Sequence, residues 1–128
     1  VSDFAPLTHE LIALEAVQAK LAGIANRADE GRRHDLIRLR RELALQIVAV
    51  GKIAEPIFGA AEPGLAQDYR NTFSRMRSTT ALHQANWPAV RLGEDMGPYQ
   101  ASALDVNEAN KAFVAWVRGA LDQLRSNR

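Results

Sequence analysis

A chain of 128 residues has the size of one domain and can bury a core without staples. Hydrophobic residues make up 47% and charged residues 24%, with a net charge of +1, which argues against wholesale disorder and against global steering toward nucleic acid or anionic lipid. The absence of cysteine excludes disulfides, thiolate metal sites and thiol catalysis together.

No run approaches the roughly 18 apolar residues of a membrane span. The opening VSDFAPLTHE lacks the basic start and apolar core of a secretion signal, so a cytoplasmic protein with no membrane partner is expected. The first helix is predicted over about 7–27, where Leu7, Leu11, Leu14, Val17, Leu21 and Ile24 alternate at three and four. The polar decamer Asn26 to Asp35, with Gly31 at its middle, reads as a turn. Its rival is one unbroken rod of about 70 Å through Glu55. The second helix is expected over 33–55 and closed by Pro56. Its seam is Leu36, Leu39, Leu43, Ile47 and Val50, while Ile37, Leu45, Val48 and Ile53 widen it until the second half is apolar almost all round. A helix of that kind should be the most buried element. Ile57 to Gly64 reads as a loop.

The third helix, 65–87, is a polar segment with a narrow stripe of Tyr69, Phe73, Met76, Thr80, His83 and Trp87, stopped by Pro88. Residues Ala89 to Leu104 contain Gly93, Gly97 and Pro98 and read as a long connection. Asp105 with Glu108 resembles a capping box that opens the fourth helix, 106–125. The expected fold is all-α: a single-domain four-helix bundle, mainly antiparallel, with a long connection between helices 3 and 4.

Motifs for chemistry are sparse. There is no Glu-x-x-His pair, no phosphate-cradling Gly-rich loop and no Gly-x-Ser-x-Gly elbow, so neither metal nor cofactor is expected and catalysis is the minority reading. AroQ-type mutases nevertheless work with Arg and Lys alone inside helices. His83 shares an apolar stripe and has no carboxylate or second His at i±4, which makes it a neutral core residue. His34, with Arg38 one turn on, is the candidate phosphoryl acceptor of an alternative phosphotransfer reading, although the Gly of that motif is missing. The run Arg32, Arg33, Arg38, Arg40 and Arg41 lacks interleaved aromatics, so nucleic acid is not an expected partner. Asp29, Glu30 and Asp35 can neutralise the run locally.

Trp87, Arg91, Tyr99 and Trp116, with Arg70 and Arg77, are the candidate contacts for a protein or peptide partner, since Trp and Tyr favour interfaces. The run Asn107-Glu108-Ala109-Asn110-Lys111 before Phe113 and Leu121 resembles the Asn-x-x-Asn pattern in the last helix of flagellar secretion chaperones. That resemblance implies a small cytosolic helical protein that holds other chains. The leading expectation is a non-enzymatic adaptor or chaperone-like bundle, forming a homodimer if one seam stays uncovered. A small molecule bound in the core through Arg70, Arg77 or His83 is a further alternative.

Overall fold

The computed structural model describes residues 3–127. Among them there are four long helices and no strand: α1 (Ala5–Ile24), α2 (Arg32–Gly59), α3 (Pro63–Asn86) and α4 (Met96–Ser126), with a 3-10 turn at Ala89–Arg91. The readings of Val1, Ser2 and Arg128 lie outside the described residues.

α1 starts where Asp3 accepts the Ala5 N–H, and Pro6 in its first turn forfeits no hydrogen bond. Leu7, Leu11 and Leu14 are fully buried, as their spacing requires. The polar decamer breaks the chain, so the single rod does not form. Arg27 fastens this turn, donating from Nε and Nη2 to Asp29 (2.8 and 2.6 Å) and from Nη1 to Asp35 (2.7 Å). The guanidinium holds the Asp29 carboxyl down to about 2. Asp29 and Asp35 are therefore neutralised mainly by Arg27, just ahead of the expected basic run.

α2 buries Leu36, Leu39, Leu43, Ile47 and Val50, as predicted. Two expectations for it fail. The first is its end: the helix runs through Pro56 to Gly59, leaving only 60–62 as connection. A helical proline costs about 3 kcal/mol. Phe58, fully buried two residues further on, stacks on Tyr69 (ring centroids 5.0 Å) and tilts against Trp116 (5.3 Å). Burying a Phe contributes about 2–3 kcal/mol and each ring pair about 1 kcal/mol more, which outweighs the proline. The second is burial: Ile37, Leu45 and Val48 are 50%, 66% and 55% exposed, so α2 carries an open apolar stripe. α1 packs along α2 and α3 along α4, whereas α2 meets α3 sparingly. A close approach comes at Gly51, where an added Cβ would sit 3.1 Å from the Phe73 ring.

α3 begins at Pro63 behind the Glu62 cap, whose carboxylate accepts the Leu65 N–H at 2.7 Å. Its stripe of Tyr69, Met76, Thr80 and His83 is buried as expected, with Phe73 partly so. α4 starts at Met96, ten residues earlier than predicted, and the connection shortens to 87–95. Gly93 (φ +102°) and Asp95 (φ 41°) turn the chain in left-handed backbone. A Cβ at Gly93 would lie 2.8 Å from Arg32 Nη2, so both conformation and space favour glycine there. Pro98 falls in the first turn of α4, where N–H groups have no helical partner, so it does not stop the helix. Asp105 lies exposed inside α4 and caps nothing.

Candidate functional site

The core-facing stripes of the four helices change chemistry along the bundle. Around Phe58, Tyr69, Phe73, Phe113 and Trp116 they carry rings that stack or tilt on one another at 5.0–6.4 Å. Burial pushes the Tyr69 phenol up to about 12. Elsewhere polar residues occupy the same periodic positions. Gln18 follows Leu14 by one turn, Arg40 stands between Leu36 and Leu43, Thr80 follows Met76, and Asn110 precedes Phe113.

Gln18, Arg40 and Thr80 border a cavity of about 40 Å³ lined from all four helices, with His83, Tyr99 and Asn107 among its other walls. It has room for roughly three water-sized groups. Arg40 Nη2 is buried there without a hydrogen-bond partner among the described residues. Burial pushes the guanidinium below its ordinary pKa, and the one titratable group whose charge acts back on it is Tyr99. No carboxylate among the described residues pairs with it. His83, 9% exposed, shares a 2.6 Å hydrogen bond between Nδ1 and Ser102 Oγ, and its ring lies 5.6 Å from that of Tyr99. Burial, then the positive charge of Arg40, pushes its pKa down to about 4, so it is neutral at pH 7, as its apolar stripe suggested. Burial also raises the Tyr99 phenol. The site thus carries one fixed positive charge among neutral groups.

Gln18, Ala22 and Asn107 also line a second, more open cavity of about 370 Å³ between α1 and α4. Small side chains at Ala19 and Ala22 leave this gap, and Asn110, Lys111 and Val114 face it from α4. Asn110 is 2% exposed; its Nδ2 donates to Val106 O (2.8 Å) while its Oδ1 has no partner among the described residues. Above the gap Arg118 pairs with Glu15. Four buried side-chain polar atoms lack a partner among the described residues: Gln18 Nε2, Arg40 Nη2, Thr80 Oγ1 and Asn110 Oδ1. All four belong to residues lining these two adjoining cavities. Because buried polar groups are nearly always satisfied, these four atoms call for partners such as water or a bound molecule.

The residues anticipated for partner binding fall in separate places. Trp87 and Tyr99 are buried and packed edge to face at 5.7 Å. The Arg91 guanidinium lies over the Trp87 ring at 4.3 Å. Trp116 belongs to the aromatic cluster, and Arg70 pairs with Glu55 at 2.6 Å. Arg77 lies over Phe73 at 5.5 Å. From Arg70 to Trp87 along α3 is about 25 Å at helical rise. His34 is exposed on the first turn of α2, where Arg38 is already engaged by Glu42 (2.8 Å) and Asp35 (3.7 Å). Among the alternative core contacts only His83 reaches the cavity; Arg70 and Arg77 do not. Gln18, Arg40, Thr80 and Asn110 escaped the sequence reading as a site, though each sits three or four residues from a seam leucine, methionine or phenylalanine.

Among the described residues no group of three or more His, Asp or Glu side chains could hold a metal ion, and no helix is long and apolar enough to cross a membrane. No protein-family model, curated protein or solved structure matches the chain.

Proposed function

We propose that this chain is a non-enzymatic, single-domain bundle that binds a small molecule in its core, admitted between α1 and α4. The observation that carries the reading is the convergence of four unpartnered buried polar atoms on two adjoining cavities. The outer cavity lies within the 300–1,000 Å³ typical of ligand pockets. A mainly antiparallel arrangement belongs to the same reading, supported by contacts that run in opposite order along paired helices. Glu10 meets Gln46 while Arg27 meets Asp35, and Phe73 meets Phe113 while His83 meets Ser102. A cytoplasmic location belongs to the same reading. Ligand-observed NMR with a mixed panel of small polar metabolites tests the proposal. Binding should appear for the native chain and vanish in Ala22→Phe, which fills the gap; equal signals from both proteins would overturn it.

The open stripe on α2 supports a second reading, protein binding. Ile37, Leu45 and Val48 share one helical face with Arg41 and Lys52, and Arg77 lines the adjoining groove toward α3. The matching occupant is an amphipathic helix with acidic flanks. A second copy would bring the same basic residues together, which disfavours a dimer. A Leu/Glu heptad peptide should bind the native chain and lose at least tenfold in affinity for Val48→Glu. Self-association instead, by sedimentation, would assign the stripe to a homodimer.

A further inference from the structure

Arg40 stands on α2 between the buried Leu36 and Leu43 and, itself half-buried, places at the inner cavity a buried Nη2 that has no partner among the described residues. Arg40 is partly exposed, yet its Nη2 is cut off from solvent, which is costly for a cation unless an anion joins it, and no carboxylate among the described residues pairs with it. Two further groups at the cavity can donate hydrogen bonds and have no partner among the described residues: the Gln18 amide from α1 and the Thr80 hydroxyl from α3. His83 adds no charge, because it is neutral and tied through Nδ1 to Ser102.

One fixed positive charge with neutral donors suits a singly charged, planar anion. A phosphate or sulfate dianion would leave a second negative charge buried and unbalanced. A guanidinium fork matches a carboxylate in shape as well as charge. The inner cavity is too small for more than such a head group, and its shared wall at Gln18, Ala22 and Asn107 leads into the larger gap lined by Ala19 and Val114. We infer that this is a carboxylate site: Arg40, Gln18 and Thr80 hold the head of a small organic acid whose skeleton lies between α1 and α4. The inference rests on the small-molecule reading above and adds the class of ligand.

Acetate is the probe of the head group, with acetamide as its neutral counterpart and inorganic phosphate as the dianion. NMR titration of the native protein should show a saturable shift of the Arg40 Nε–H and Gln18 side-chain amide signals with acetate, at least tenfold tighter than with acetamide or phosphate. Hexanoate should bind tighter than acetate, and Ala22→Phe should remove that gain. Arg40→Leu should abolish the acetate response at the Gln18 amide. Arg40→Gln, which keeps a donor but no charge, should weaken it at least tenfold and covers the case in which the leucine variant misfolds. Equal responses to acetate and acetamide would keep a small-molecule cavity and overturn the carboxylate assignment. No saturable response of the cavity signals to any of these probes would overturn both.

Discussion

The two halves of the core follow the same helical period and end in opposite states. At the aromatic end Phe58, Tyr69, Phe73, Phe113 and Trp116 complete one another, each ring supplying the surface its neighbour needs. At the polar end Gln18, Arg40, Thr80 and Asn110 occupy equivalent positions yet leave a donor or acceptor unmet. Position on the stripe decides whether a side chain is buried. Whether that burial is self-sufficient depends on what the facing helix offers in return. The aromatic half is accordingly a source of stability, and the polar half draws on it.

Substitutions should separate the halves. The largest effect is expected at Phe58→Ala, which deletes a fully buried ring beside two others and should cost about 3–5 kcal/mol in chemical denaturation. A loss below about 1 kcal/mol would mean that the turn beyond Pro56 contributes little. Arg40→Leu, at the polar end, should act in the opposite direction, stabilising the protein by about 1 kcal/mol through removal of a half-buried charge that has no partner among the described residues.

The pH dependence sharpens the same contrast. His83 has its folded pKa pushed down to about 4 from the ordinary 6.5. Between those values the unfolded chain takes up a proton that the folded chain refuses. Stability is therefore fully present above pH 6.5 and declines as pH falls toward 4, by on the order of 2 kcal/mol. His83→Gln should flatten this decline, as read from denaturation midpoints across the range. An unchanged slope would place the titration elsewhere. The smallest effect belongs to the surface: Arg118→Ala breaks an exposed pair with Glu15 and should change stability by less than about 1 kcal/mol.

Much of the fold was legible because it depends on period alone. The α1 leucines, the Leu36 to Val50 seam and the α3 stripe from Tyr69 to His83 are buried where spacing puts them. Proline misled twice, each time because its cost depends on place. Pro56 is outweighed by Phe58, and Pro98 sits where no hydrogen bond is lost. The open stripe at Ile37, Leu45 and Val48 could not be foreseen, since one-dimensional pattern does not reveal which neighbour is missing. Arg40 was the hardest to single out. It stands next to Arg41 in a basic run, and only register against Leu36 and Leu43 separates a half-buried cation from a solvated one.

The most direct test of the polar half as a ligand site compares the denaturation of the native chain and Arg40→Leu with acetate or acetamide added at matched ionic strength. The leucine protein should be the more stable in acetamide, and acetate should narrow or reverse its advantage by stabilising only the native chain. An identical difference in both solutions would contradict the account and leave Arg40 as an imperfection in packing.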